Sequence, residues 1–83
     1  MSLTVVVQET ALRALARIRA EDKESFASIR SALSALADEP RSAQAVAWGA
    51  SGVYRLHMPG IRILYEVDDG ASTVYVINVA LTS

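Results

Sequence analysis

Three side chains in one short segment of this chain could bind and act on an anion: Arg55, His57 and Arg62. They lie between Val53 and Val67, where polar and apolar residues alternate on both sides of a Pro-Gly pair. Alternation with a period of two predicts two strands, and Pro-Gly predicts the turn that joins them. A guanidinium binds phosphate through a planar fork of donors, and a histidine can carry a proton near neutral pH. The segment therefore predicts a hairpin that can hold a phosphate.

The expected register of this hairpin sorts its side chains onto two faces. If Met58 and Ile61 close the turn, His57 lies opposite Arg62, and directly opposed residues share a face. The polar face then carries Arg55, His57, Arg62 and Glu66, and the apolar face carries Tyr54, Leu56, Met58, Ile61, Ile63 and Tyr65. We therefore expect Tyr54 and Tyr65 to be core residues rather than catalysts.

Composition limits the class of protein. The chain has 83 residues, which predicts a single domain over residues 1–83. It contains no cysteine and one histidine, which excludes disulfides, thiolate metal sites and a histidine-rich metal centre, and no cofactor is implied. The net charge of −1 argues against a strong general affinity for nucleic acid. Neither a signal-peptide pattern nor a membrane-length apolar run is present, so we expect a cytoplasmic protein that does not bind membranes.

The first half of the chain predicts a strand and a helical hairpin. Leu3–Val7 is short and β-branched, which predicts a buried strand. Glu9 or Thr10 begins a helix that runs to about Ala20, and Asp22 is a suitable N-cap for a second helix that ends near Asp38. The expected apolar side is Leu12, Leu15, Ala16 and Ile18 in the first helix, and Phe26, Ile29, Leu33 and Leu36 in the second.

The second half predicts a meander of three or four strands. A weak strand over Gln44–Trp48 precedes the hairpin, and a strand over Ser72–Ala80, apolar on both faces, is expected inside the sheet. The turn at Asp69-Gly70 leaves the face of Tyr75 open, because turns of two and three residues place it on opposite sides. Trp48 could pack against the sheet edge or anchor a partner, and we expect it to pack, because an isolated tryptophan in a small domain is usually a core residue. The predicted class is α+β: an N-terminal strand, a two-helix hairpin and a mostly antiparallel sheet.

This order of elements resembles that of the RelE/ParE superfamily of toxins from bacterial type II toxin–antitoxin systems. The resemblance covers essentially the whole chain. Its motifs are Tyr54-Arg55-Leu56-His57, then Gly60-Ile61-Arg62-Ile63-Leu64-Tyr65, and an apolar last strand containing Val76-Ile77-Asn78-Val79. It implies that a cognate antitoxin binds the chain as a hetero-oligomer.

The resemblance also implies two activities. RelE-like members cut mRNA in the ribosome without a metal ion, whereas ParE-like members inhibit DNA gyrase. By position, Arg62 corresponds to the arginine that stabilises the transition-state phosphate, and Arg55 and His57 correspond to two further basic residues of the active face. The resemblance thus implies a metal-independent endoribonuclease, an mRNA interferase, with these three residues as its site.

Alternatives stay open at this point. No Arg, His or Tyr follows Tyr75, where RelE-like nucleases usually carry basic residues and a catalytic Tyr, and those nucleases are usually strongly basic. Either the natural chain extends past Ser83, or the nuclease is impaired, or the target is not the ribosome. A binding module without catalysis and a non-toxic heterodimer subunit are the rival interpretations. Arg62 could instead pair with Glu66 or with a carboxylate of the last strand. His57 could be only a polar sheet residue, and Arg55 could contact an antitoxin carboxylate.

Overall fold

Two helices cover one face of a five-stranded sheet and leave the other face open. A computed structural model describes residues 2–82 of the chain. The elements are β1 (Thr4–Val7), α1 (Glu9–Glu21), α2 (Lys23–Asp38), β2 (Ala45–Ala47), β3 (Val53–Met58), β4 (Ile61–Asp68) and β5 (Thr73–Leu81). No helix within residues 2–82 is long and apolar enough to cross a membrane.

The strand order explains which residues of the sheet are central. The strands run β1-β5-β4-β3-β2, so the last four in sequence form an antiparallel meander, as predicted. β5 lies between β4 and β1, which confirms that the last strand is inside the sheet. β1 pairs with β5 in parallel, and the sheet is therefore mixed. The two helices connect β1 to β2, which lies at the opposite edge of the sheet.

The central hairpin has the predicted register. Met58 pairs with Ile61 and His57 with Arg62, so the turn contains only Pro59 and Gly60. Gly60 adopts a positive φ of 75°, a conformation that glycine reaches without a Cβ clash. Because this register places alternate residues on alternate faces, it decides which side chains reach the core and which reach the open face.

The helical hairpin begins and ends close to the predicted residues. Asp22 alone separates the two helices, and its carboxylate accepts a hydrogen bond from the Ser25 N–H at 3.0 Å. That backbone bond holds the pKa of Asp22 below its usual range. In α2 the predicted stripe is confirmed, with Ile29, Leu33 and Leu36 buried and Phe26 half-buried against the core.

The expected apolar side of α1 was partly wrong. Leu15 and Ile18 are buried, but Leu12 is 57% exposed and Ala16 is also exposed. Ala11 and Ala14 are buried in their place. The helix lies close to β5, and small side chains allow that approach, so the buried stripe is rotated away from the bulkier Leu12.

β1 is not the buried strand that its composition predicted. It lies at the edge of the sheet, where only one side has a strand neighbour. Val5 and Val7 are half-buried and pack against the core, whereas Thr4 and Val6 are exposed on the open face. β-branched composition alone does not distinguish an edge strand from a central one.

The connection between β4 and β5 resolves the position of Tyr75. Asp68 pairs with Thr73, so four residues form the turn rather than the two or three considered. The register then shifts between Leu64 and Tyr65, because β5 carries one extra residue there. Tyr75 pairs with Glu66 and shares its polar face.

Candidate functional site

The open face of the sheet brings the three predicted site residues together. His57 and Arg62 are direct partners across the β3–β4 pair, and Arg55 is two residues before His57 on the same face. Arg62 and His57 are exposed, and Arg55 is half-buried. All three side chains project from the two central strands of the meander, and the hairpin register alone fixes their placement.

A shallow hollow of about 200 Å³ lies beside these residues on the open face. Its lining residues come from three adjacent strands and the segment after β2: Trp48, Arg55, Arg62, Leu64, Asn78 and Ala80. None of these lining residues, all within the described range 2–82, is acidic. Two guanidinium groups without a lining carboxylate make the hollow electropositive, which suits an anion.

Trp48 forms one wall of this hollow and does not pack in the core as predicted. It is 47% exposed, and the guanidinium carbon of Arg55 lies 3.6 Å from the centre of its ring. β2 pairs with β3 so that Val46 lies opposite Arg55, and Trp48, two residues further, shares that face. Strand alternation therefore overrides the usual tendency of a lone tryptophan to be buried.

Arg55 also contacts the histidine. Its Nε–H donates to Nε2 of His57 at 3.2 Å. Since Nε2 accepts this bond, it carries no proton in this arrangement, and a neutral imidazole then has its proton on Nδ1. The Nε2 lone pair that a general base would use is therefore occupied by Arg55 in the free protein.

Arg62 makes neither an ion pair nor a side-chain hydrogen bond with any residue of the described chain, 2–82. The alternative in which it pairs with Glu66 is therefore not formed. Glu66 lies opposite Val53 and Tyr75, further along the strand than Arg62, which lies opposite His57 and Ala80. The guanidinium fork of Arg62 remains available to a ligand.

Asn78 is a member of the site that the sequence analysis did not single out. It pairs with Leu64 in β4 and is exposed on the open face. Its Oδ1 accepts a hydrogen bond from the Val79 N–H at 2.9 Å, which leaves the amide NH₂ as the group for a ligand. The sequence did contain a sign of this role, because Asn78 is a single amide in an otherwise apolar strand next to the strand that carries Arg62.

A second group of polar contacts, centred on Arg41 and which we call the corner, lies on the helix-covered side of the sheet. Arg41 donates to the hydroxyl of Tyr54 at 2.9 Å and to the carboxylate of Asp69 at 2.8 Å. The Tyr54 ring stacks on that of Tyr65, with centroids 5.8 Å apart, and the Tyr65 hydroxyl donates to the carbonyl of Pro40. These contacts attach the loop after α2 to the meander.

The corner has the electrostatics of a structural element. Burial raises the pKa of Tyr65 to about 12, and the hydrogen bond to Asp69 raises the pKa of Arg41. Tyr65 is fully buried, which confirms its prediction as a core residue. The carboxylate of Asp68 accepts from the Ala71 N–H and so stabilises the turn before β5. No group of three or more potential metal ligands occurs within residues 2–82.

Comparison with solved structures shows the same fold. A toxin–antitoxin complex, RelBE2 from Mycobacterium tuberculosis, matches with a TM-score of 0.83 and 24% identity over 99% of this chain and 100% of that chain. The isolated RelE toxin from E. coli matches with a TM-score of 0.82 and 21% identity over 99% and 86%. A RelE–RelB complex from Pyrococcus horikoshii matches with a TM-score of 0.82 and 16% identity over 98% and 96%.

Sequence comparison gives the family. No curated protein matches the chain significantly. A family model, described as the ParE toxin of type II toxin–antitoxin system, parDE, matches residues 5–83. That match covers nearly the whole chain, and the helical hairpin on a five-stranded sheet is the fold of the RelE structures. The chain therefore belongs to the ParE toxin family, within the RelE/ParE superfamily, and is the toxin component of a type II toxin–antitoxin system.

Proposed function

We propose that this toxin is a RelE-like endoribonuclease that binds an mRNA phosphate on the open face of its sheet and cleaves the message on the ribosome. The observation that carries the proposal is the placement of Arg55, His57 and Arg62 on one face, where Arg55 and Arg62 line a hollow without an acidic lining residue and His57 pairs directly with Arg62. Ribosomes and messages are cytoplasmic in bacteria, and so is the proposed site of action.

The proposed reaction is attack of a ribose 2′-hydroxyl on the adjacent phosphorus. The bond between the 2′-oxygen and phosphorus forms, and the bond to the 5′-oxygen of the next nucleotide breaks. The products are a 2′,3′-cyclic phosphate and a 5′-hydroxyl. Negative charge accumulates on the phosphorane oxygens. The proposed ligand for these oxygens is Arg62, whose guanidinium has no side-chain partner within residues 2–82. Such electrostatic stabilisation is usually the largest single contribution to catalysis.

His57 is the proposed proton carrier. In the free protein its Nε2 accepts from the Arg55 Nε–H, so this hydrogen bond must break on RNA binding before Nε2 can accept the 2′-hydroxyl proton. The leaving 5′-oxygen takes its proton from the imidazolium or from solvent. Arg55 therefore binds the phosphate, and this binding also frees the Nε2 lone pair of His57 to act as the general base.

A cognate antitoxin is the proposed partner. Several solved structures of the same fold are toxin–antitoxin complexes, including the M. tuberculosis and P. horikoshii pairs. A hollow that carries two arginines and no acid is a suitable place for an antitoxin carboxylate, which would block the same surface that binds RNA. We propose a hetero-oligomer of toxin and antitoxin as the resting state.

A second function, binding without catalysis, is supported by two observations. The net charge is −1, which is unusual for a protein that must enter the ribosome, and the base lone pair of His57 is engaged. The same open face would then bind a protein target, and DNA gyrase is the target that ParE-like members suggest.

The experiment is to express the toxin without its antitoxin in bacterial cells and map the 5′ ends of mRNA. Cleavage within translated codons, reduced about 100-fold or more by Arg62→Ala, is expected, because Arg62 contacts the developing charge. Arg30→Ala is the matched control, since Arg30 is an exposed arginine on α2 and lies outside the hollow. Intact messages together with DNA breaks would instead establish gyrase as the target.

A further inference from the structure

We propose that Trp48 is a positioning residue of this site: its indole ring orients the Arg55 guanidinium so that its two NH₂ groups are directed to an RNA phosphodiester in the hollow. The inference rests on the proposed function, because it assigns the means by which the phosphate-binding face is kept ordered before RNA arrives. Nothing in the sequence pattern that identifies the fold involves Trp48.

The first argument is the close stacking of the two groups. The guanidinium carbon of Arg55 lies 3.6 Å from the Trp48 ring centre, whereas the Arg41 and Tyr54 pair of the corner is separated by 5.6 Å. At 3.6 Å the planar cation contacts the indole face directly, and tryptophan is the strongest aromatic partner for a cation. The contact restricts the plane of the guanidinium, which a flexible arginine otherwise leaves free.

The second argument is that one edge of the guanidinium is also fixed. Its Nε–H donates to Nε2 of His57, so the plane is set by Trp48 and the edge by the histidine. The two NH₂ groups carry the remaining four N–H donors. Within residues 2–82 none of them has a protein acceptor, and they belong to a side chain that lines the hollow. The fork is therefore oriented before any ligand binds.

The third argument gives the class of ligand. Arg55 and Arg62 can only donate, and Asn78 offers its NH₂ because its oxygen already accepts from Val79. A ligand with acceptor oxygens alone fits such a lining, and a phosphodiester is one. Trp48 is 47% exposed even with Arg55 against it, which leaves ring surface for a nucleobase to stack on. That surface favours RNA over a carboxylate of a peptide.

The test is binding of a labelled hexauridylate with 2′-O-methyl groups, which cannot be cleaved by 2′-hydroxyl attack, to the purified full chain. Trp48→Leu should weaken binding about tenfold, and Trp48→Phe, which keeps an aromatic face, should stay within about threefold of the wild type. Val46→Ala is the control, because Val46 is 52% exposed on the same strand face and outside the hollow. Equal binding by Trp48→Leu and wild type would overturn the proposal.

A spectroscopic measurement separates positioning from general stabilisation. His57 is the only histidine of the chain, so its imidazole ¹⁵N signals are unambiguous. Trp48→Leu should shift the Nε2 signal toward that of an imidazole without a donor partner, and Trp48→Phe should not. An unchanged Nε2 signal in Trp48→Leu would show that Trp48 does not orient Arg55.

Two further arms distinguish the failure of this inference from failure of the proposed function. If Arg62→Ala weakens RNA binding and Trp48→Leu does not, only the positioning role is wrong. If neither variant weakens binding, the RNA site itself is wrong and both proposals fail. A hexaglutamate peptide that displaces the RNA at equal concentration would show a carboxylate-binding face and overturn the choice of RNA.

Discussion

The corner and the hollow each contain an arginine next to an aromatic ring, on opposite faces of the same sheet. In the corner, Arg41 lies over Tyr54, and in the hollow, Arg55 lies over Trp48. The decisive difference is a carboxylate. Asp69 binds Arg41 at 2.8 Å, whereas no acidic side chain lines the hollow among the described residues 2–82.

This difference separates a structural arginine from one available for function. Arg41 uses its donors on the Tyr54 hydroxyl and the Asp69 carboxylate, so it joins the loop after α2 to the sheet. Arg55 uses only its Nε–H, and Arg62 uses none of its donors within the described chain. Tyr54 and Arg55 are consecutive in β3, so strand alternation places Tyr54 on the face of the corner and Arg55 on the face of the hollow.

The largest expected effect comes from removing the central ring of the corner. Tyr65→Ala should lower the free energy of unfolding by about 3–5 kcal/mol, because a fully buried aromatic side chain leaves a cavity and the Pro40 carbonyl loses its donor. Chemical denaturation measures this. Leu64→Ala is the control, because Leu64 is half-buried on the open face, and it should lower the free energy of unfolding much less. Equal losses would show that the corner is not the more structural region.

The corner should also be sensitive to alkaline pH. The pKa of Tyr65 is raised from 10.0 to about 12 in the folded chain, so between pH 10 and 12 the unfolded chain loses this proton and the folded chain keeps it. The unfolded state then binds fewer protons, and the free energy of unfolding should fall by about 2 kcal/mol across this window. Denaturation at pH 9 and pH 12 tests it. Tyr65→Phe should lack this part of the decrease, and an identical decrease in Tyr65→Phe would contradict the assignment.

The hollow can be made to resemble the corner by adding a carboxylate. Asn78→Asp keeps the shape of the side chain and places an acid in the hollow lining, near Arg62 and Arg55. It should weaken binding of the 2′-O-methyl hexauridylate about tenfold, because charge repulsion adds to neutralisation of the arginines. Asn78→Ala removes the amide donor without adding charge and should have a smaller effect. Equal effects of the two variants would show that charge does not define the site.

The sequence predicted the elements and the hairpin face well, because both follow from local periodicity. The register of His57 with Arg62 depends only on a two-residue turn, and the cap at Asp22 depends only on the next three residues. Both were confirmed. Among the predicted strands and helices, the errors in burial fall on β1 and on α1, where burial depends on which element lies beside them: an edge position exposed Val6, and close approach to β5 exposed Leu12.

The candidate site was predicted in part, for the same reason. Arg55, His57 and Arg62 share one hairpin, so alternation placed them together. Trp48 and Asn78 come from other strands, and their positions depend on the β2–β3 register and on the bulge in β5. Neither of these follows from sequence alternation alone. The corner was missed because its residues come from a loop, a strand and a turn that are distant in the sequence. Arg41 and Asp69, for example, are 28 residues apart.

The smallest effect is expected when the corner is made to resemble the hollow. Asp69→Asn removes the carboxylate from Arg41 and leaves an arginine beside an aromatic ring. Stability should fall only slightly, since the pair is exposed to solvent, and RNA binding should stay unchanged. The corner lacks a second cation comparable to Arg62, and one guanidinium contacts a phosphodiester from one side only. A gain of RNA binding in Asp69→Asn would show that absence of a carboxylate is sufficient, and that the pairing of Arg55 with Arg62 across the sheet is not the defining feature of the site.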